Sequence, residues 1–239
     1  MLHNASSIRH GKPLLVSFSG LDGSGKSTQI ENLRHVLHGR GLATKRLAFW
    51  DDVVVLSRYR ESFVHRVYGS ERGIGAPDRP VNRRDKNVRK WYLSAIRHAL
   101  YFLDAVHLVI VVRRARSGDA AVVILDRYIY DELANLPLSN SLSRIFVRLV
   151  AAFVPRPDVA YLLDADPEVA RARKPEYPID FLHECRSSYF ALAGILGGMT
   201  TIPPLPLSDA QSEVENAMSR ALARWQSGIQ ANLDTASAS

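Results

Sequence analysis

Short, continuously apolar runs alternate along this chain with longer stretches whose apolar positions recur every three or four residues. Leu14–Ser19 (LLVSFS) runs into glycines, as a buried strand feeding a turn does. From Lys26 onward, Ile30, Leu33, Val36 and Leu37 share one helical face until Gly39 and Gly41 stop it. Thr44–Trp50 reads as a second strand, Ala121–Leu125 as a third and Asp158–Leu163 as a fourth. A short last strand falls within Thr200–Leu207, limited by Pro203, Pro204 and Pro206. Helical periodicity predicts helices over Ser57–Tyr68, Arg83 to about Arg116, Leu138–Phe153, Asp180–Leu196 and Asp209–Trp225. The strands are apolar throughout rather than alternating, which is the signature of a sheet covered on both faces. The pattern predicts a three-layer α/β fold with a mostly parallel, five-stranded sheet flanked by helices.

Residues 1–12 and 226–239 are small and polar and read as flexible tails around one domain over 13–225. Gly73–Pro80 is the only candidate linker, and it reads as part of an insertion over about 51–90 within that domain. The chain has 239 residues, 46% of them apolar, enough for a sizeable core. One cysteine, Cys185, excludes an internal disulfide and fits a reducing, cytoplasmic setting; in its helix it is expected to be buried and inert. Residues 1–12 lack the apolar run of a secretory signal. The apolar stretch at Ala105–Val112 stops at Arg113 and Arg114, too soon to span a membrane. A formal net charge of +7 points to anionic partners without choosing among nucleic acid, membrane and phosphorylated small molecules.

The chemistry begins after the first strand. Gly20-Leu21-Asp22-Gly23-Ser24-Gly25-Lys26-Ser27-Thr28 matches G-x-x-x-x-G-K-[ST] in a strand–loop–helix setting. Glycines let successive N–H groups of Gly20, Gly23, Ser24 and Gly25 turn toward phosphate oxygens, and the following helix adds the positive end of its dipole. Lys26 supplies a point charge for the β- and γ-phosphates, Ser27 a hydroxyl for Mg²⁺, and Thr28 extends the loop into the helix. The motif implies a bound nucleotide, ATP with Mg²⁺. It does not separate kinases from other nucleotide hydrolases.

Asp126-Arg127-Tyr128 follows the third strand. A carboxylate there lies at the ligand edge of an open α/β sheet. Asp126 is placed to hold Mg²⁺, directly or through water, and Arg127 to reach a phosphate of donor or acceptor; a plain surface ion pair is the alternative.

FSGLDGSGKSTQ (Phe18–Gln29), ILDRYIYDELA (Ile124–Ala134), RPDVAYLLDADPEVARAR (Arg156–Arg173), RSSYFALA (Arg186–Ala193) and SDAQSEVENAM (Ser208–Met218) together resemble the thymidylate kinase family of P-loop nucleoside monophosphate kinases. The resemblance runs in order over about residues 14–225. It implies phosphoryl transfer from ATP to a nucleoside monophosphate, with dTMP first. Asp22 would contact the acceptor's sugar hydroxyl and Arg127 its phosphate, with Tyr128 and Trp50 as further acceptor-side candidates. Arg171 and Arg173, with Lys174, lie where the family has its lid, here expected over about 171–180. The resemblance also implies homodimers through long helices; Val106–Val112 would serve such an interface or the core. A small-molecule phosphate acceptor is the expected partner, with neither nucleic acid nor membrane.

Three departures concern the acceptor. Phe49-Trp50-Asp51-Asp52 stands where the family has Arg-Glu-Pro. The base-reading arginine of the long helix falls at Asp104 and Ala105, and Arg97 lies about two turns earlier. Asn135 and Leu136 replace polar residues after D-R-Y. Against these losses, Arg58–Lys90 carries ten basic residues opposed by Glu61, Glu71, Asp78 and Asp85. This segment reads as a solvated face or as a site for a more anionic acceptor, with Gly73–Pro77 as an acceptor-side loop. Two other readings stay open: a same-fold kinase with a different acceptor (another nucleotide, a nucleoside, or a phosphorylated sugar or lipid), and a nucleotide-binding protein without turnover. Trp50, Tyr59, Trp91 and Tyr92 read as core aromatics or base-stacking residues. The histidines show no metal spacing.

Overall fold

The structure, a computed structural model, describes residues 12–55 and 91–237. The expected helix over Ser57–Tyr68, the loop over Gly69–Asn82, the basic segment Arg58–Lys90 and the first eleven residues lie outside them. So do the side chains of Trp91 and Tyr92.

The chain runs β1 (Leu14–Gly20), α1 (Lys26–Gly39), β2 (Thr44–Ala48), a π-helical turn (Phe49–Val53), α2 (Trp91–Arg116), β3 (Val122–Asp126), α3 (Ile129–Leu133), α4 (Ser141–Phe153), β4 (Val159–Leu163), α5 (Pro167–Arg173), α6 (Ile179–Leu196), β5 (Thr200–Ile202) and α7 (Leu207–Ser237). Among the described residues five strands form one sheet in the order β2-β3-β1-β4-β5, parallel at every pairing. Successive strand residues point to opposite faces. Leu15, Val123, Leu125 and Leu162 therefore pack against α2, α4 and α6, whereas Val16, Phe18, Ile124 and Tyr161 pack against α1 and α7. The expected three layers result, and β1 sits where the strand order reverses, so its C-terminal end opens on a crevice.

Element ends differ from the sequence reading for local reasons. β2 stops at Ala48 because the Asp52 side chain accepts the Ala48 N–H at 2.7 Å, which turns the chain out of the ladder. α4 starts at Ser141 because the Asn140 side chain accepts the Leu142 N–H at 3.0 Å, a helix cap. Pro203 ends β5. The expected C-terminal tail is instead helix: α7 passes Trp225 and continues to Ser237. Gln226, Gln230 and Ala231 favour helix, and one glycine, Gly228, is too weak a breaker to stop it. The Trp225 indole N–H also donates to the Lys12 carbonyl at 2.9 Å, tying the two ends of the domain together. Along α2, Leu108 and Val112 enter the core while Ile110 stays exposed. Among the described residues, no helix is long and apolar enough to cross a membrane.

Candidate active site

β1 delivers the phosphate loop into the crevice. Gly25 adopts φ +88°, which a side chain disfavours, and a Cβ there would meet nothing within 4 Å among the described residues, so the loop's inner face is open. Ser24 Oγ is buried with no hydrogen-bond partner among the described residues. An open cradle with an orphaned hydroxyl suits phosphate oxygens. Lys26 is buried at the base of α1, its ammonium donating to the carbonyls of Gly20 at 3.0 Å and Leu21 at 2.6 Å. Burial, and then the Arg127 charge, lower its pKa to about 8. Ser27 and Thr28 are exposed on the first turn of α1.

β3 ends at Asp126, whose Oδ2 accepts from Arg46 Nη2 at 2.6 Å; Arg46 Nη1 bonds Glu31 of α1 at 2.8 Å. The ion pair expected as the plain alternative thus exists, but with Arg46 rather than Arg127. Mg²⁺ prefers hard oxygen ligands and keeps several waters. The Ser27 hydroxyl and the Asp126 carboxylate are donors of that kind. Among the described residues no cluster of three or more His, Cys, Asp or Glu side chains forms a metal site by itself.

Arg127 turns the other way. Its backbone is left-handed, φ +69°, with its N–H donated to the Phe18 carbonyl at 3.0 Å. Its guanidinium donates to Asp22 of the phosphate loop and, at 2.9 Å, to Asp131 of α3. Burial works against this cation, but Asp131 and Asp22 hold its pKa above the ordinary value. Asp131 also accepts from Ser19 Oγ at 2.7 Å, the Tyr128 N–H at 3.1 Å and the Tyr189 hydroxyl at 2.8 Å.

A cavity of about 590 Å³ opens beside this cluster. Its walls are Gly20–Asp22, Arg127, residues 134–137, Arg97 of α2, and, on and before α6, Tyr177, Phe181, Leu182, Glu184, Cys185, Ser188 and Tyr189. Several expectations change here. Tyr128 does not face the cavity: it is fully buried and its hydroxyl donates to the Pro155 carbonyl. Trp50 is absent from the cavity wall and 45% exposed, because Phe49 takes the inward position of the π-helical turn. Cys185 is half-buried and on the wall. Arg97, two turns early by the family's spacing, is on it too, whereas Asp104 is buried and accepts the Val55 N–H at 2.7 Å.

On the other side, α5 leans on the phosphate loop. Its cap, Asp166, accepts the Glu168 N–H at 2.9 Å. Arg173 Nη1 reaches the Gly23 carbonyl at 3.4 Å, and Lys174 Nζ lies 3.9 Å from Asp22 and 3.2 Å from Glu176. Arg171 is half-buried on the same helix. α6 is fastened by Arg186, whose guanidinium forks onto Asp164 with two 2.7 Å bonds. Asp131 has no role in the expectations drawn from the sequence, and Arg97 stands there only as an arginine two turns from the family's base-reading position. Asp131 stands four residues after Arg127, the helical spacing at which the two side chains meet, and that spacing was the available signal.

A phosphate loop at the switch point of a parallel sheet, its lysine and an arginine–carboxylate cluster converging on one crevice, defines a P-loop kinase. No protein-family model matches the chain. It is 30% identical over 192 residues to a thymidylate kinase of Bifidobacterium longum subsp. infantis, covering 75% of this chain and 74% of that protein. Over 192 residues it is 29% identical to a probable thymidylate kinase of Pyrobaculum aerophilum, covering 74% and 82%. A thymidylate kinase of Xylella fastidiosa is 28% identical over 222 residues, 87% of this chain and 88% of that one. The chain belongs to the thymidylate kinase family, and is an enzyme of the nucleoside monophosphate kinase kind.

Proposed function

We propose that this enzyme transfers the γ-phosphoryl group of ATP to the phosphate of a nucleoside monophosphate, dTMP first among them. The observation that carries the reading is the position of Arg127, held between the phosphate loop and the cavity by Asp22 and Asp131. A cation there can bind one phosphate while Lys26 binds the other, so the two substrates would meet at one seam. Positioning and charge stabilisation then do the catalytic work, with no covalent intermediate. Gly20, Gly23, Ser24, Gly25 and Thr28 would shape the donor's cradle. Ser27 and Asp126 would hold Mg²⁺, which supplies charge neutralisation on the phosphates. Asp22 would receive the acceptor's sugar hydroxyl. Residues 171–180 would act as the lid, with Arg171 and Arg173 offsetting charge on the group in flight and closure excluding water. A homodimer belongs to the same proposal; Ile110 and the paired rings of Phe102 on α2 and Phe153 on α4, centroids 5.9 Å apart, offer it an exposed apolar face.

A second reading keeps the fold and changes the acceptor. It is favoured by the exposed Trp50 and by Arg97 standing at a wall position the family does not use. ADP release from ATP, measured with dTMP, with each other nucleoside monophosphate and with no acceptor, decides. Turnover with dTMP alone supports the first reading; turnover with none, while ATP still binds, overturns it in favour of the second.

A further inference from the structure

We infer that Asp131 is the fixed anchor that positions Arg127, and that Asp22 is its exchangeable partner, displaced when the acceptor's phosphate arrives. The inference rests on the proposed nucleoside monophosphate acceptor.

The two carboxylates hold the same guanidinium in different ways. Asp131 is 2% exposed at its side chain, and both its oxygens are in use: Oδ1 takes Arg127 Nη1 at 2.9 Å and the Tyr189 hydroxyl at 2.8 Å, Oδ2 takes Ser19 Oγ at 2.7 Å and the Tyr128 N–H at 3.1 Å. Four donors fill a carboxylate's capacity. They come from β1, α6 and the turn before α3, so the anchor is tied to three elements at once. The Asn135 side chain also donates to the Asp131 carbonyl at 2.8 Å, closing the end of α3. Asp22 is 27% exposed, sits on the phosphate loop and lines the cavity. It meets Arg127 through Nη2. A phosphate oxygen accepts from a guanidinium as a carboxylate does. An acceptor phosphate can therefore take Nη2 from Asp22 while Nη1 stays on Asp131, and Asp22 is released toward the sugar hydroxyl. Arg127 thereby reads the acceptor without being re-aimed.

This arrangement makes a prediction opposite in sign to simple electrostatics. Neutralising Asp131 makes the site more positive, which by charge alone would tighten phosphate binding. If Asp131 is the anchor, its loss leaves Asp22 as the one strong partner of Arg127, both guanidinium nitrogens close on it as a fork, and the acceptor is shut out.

The test is calorimetric titration of the full chain with dTMP, with ADP titration and thermal melting as controls. Asp131→Asn is expected to weaken dTMP binding about tenfold or more, with ADP affinity within about threefold of wild type. Adding Asp22→Asn, which keeps a group able to bond a hydroxyl but removes the competing charge, is expected to restore dTMP affinity to within about threefold. A purely structural Asp131 gives no such rescue. Unchanged or tighter dTMP binding in Asp131→Asn, or a double variant as weak as the single, overturns the inference. Should Asp131→Asn fail to fold, Tyr189→Phe loosens the same oxygen. It should weaken dTMP about threefold and leave ADP unchanged; equal dTMP affinity overturns the anchor. A wild-type chain that binds no nucleoside monophosphate overturns the acceptor reading and the anchor together. Wild-type binding that Asp131→Asn leaves intact overturns the anchor alone.

Discussion

Gly23 lies so close to Ala170 that a Cβ on residue 23 would stand 2.3 Å from the Ala170 carbonyl oxygen. The phosphate loop and α5 are therefore in backbone contact, and Gly23 also holds a positive φ of +83°. Gly23→Ala must push α5 away and strain the loop at once. The expected result is a stability loss of about 1–3 kcal/mol. Phosphoryl transfer should fall about tenfold or more, because displacing α5 moves Arg173 off the loop. Melting and steady-state kinetics check it. A variant with wild-type kinetics would mean that α5 takes no part in the reaction.

Lys26 divides fold from chemistry. Its ammonium satisfies two loop carbonyls but bears a desolvation cost, visible in its lowered pKa of about 8. Lys26→Ala removes both, so the effects on stability oppose each other, with a net change expected within about 1 kcal/mol. Phosphoryl transfer should fall on the order of a hundredfold or more, as when a preorganised charge at developing negative charge is lost. Normal turnover in a folded Lys26→Ala chain would refute the role of the loop.

The layers were readable in the sequence because β3 and β4 are apolar on both faces and β1 is interrupted only by Ser17 and Ser19, as expected of strands in a sheet covered on both sides. The phosphate loop was readable because local backbone chemistry defines it. Asp131 was marked locally only by its four-residue spacing from Arg127, which suggests a partner but says nothing of burial. Its partners Ser19 and Tyr189 lie 112 and 58 residues away and converge only in the folded chain. Aromatics misled for a related reason: Tyr128 beside the D-R motif looks like a ligand contact, and its burial depends on Pro155 passing behind it. α7 outran its expected end because composition alone does not separate a polar tail from a polar helix.

Buried tyrosines set the alkaline limit. Burial raises the pKa of Tyr128, Tyr130 (to about 12), Tyr161 and Tyr189. A phenol raised in the fold contributes stability that is complete below the unfolded value, about 10, and is lost as pH climbs toward the folded one. Lys26 pulls the other way, and only up to the ordinary lysine value of 10.5. The unfolding free energy from urea titrations should therefore drop steeply above pH 10, approaching about 5 kcal/mol per pH unit if all four tyrosines take part. Tyr130→Phe should flatten that limb by roughly a quarter, one phenol of four. A flat profile to pH 11.5, about a unit and a half past the free phenol's pKa, would contradict the burial of these hydroxyls.

Arg127 needs two substitutions to be read. Arg127→Ala leaves Asp131 buried without its cation, which is expected to destabilise the fold by about 3–5 kcal/mol whatever it does to catalysis. Arg127→Lys keeps the charge beside Asp131 but loses the fork that spans Asp131 and Asp22. Its melting temperature should stay close to wild type, while kcat/KM for the acceptor falls about tenfold or more and the KM for ATP holds. A loss confined to ATP would place Arg127 on the donor side, and equal losses would mean that it serves both substrates alike.

Arg97 tests where the acceptor's far end lies. It is brought to the cavity by α2, on a wall that also carries Glu184 and Cys185. If the acceptor's base or a second anionic group rests there, Arg97 contributes binding that is equal in the ground and transition states. Arg97→Ala should then raise the acceptor's KM about tenfold, the scale of one hydrogen bond to a charged group, with kcat and the KM for ATP unchanged. The comparison is sharpest across acceptors. A loss confined to one nucleoside monophosphate would make Arg97 a base-reading residue in place of the arginine missing at Asp104. An equal loss with every acceptor would mean that it meets an element they share, the sugar or the phosphate. An unchanged KM with the true acceptor would show that the reacting molecule stops short of α2 and fills only the half of the cavity bounded by Asp22 and Arg127.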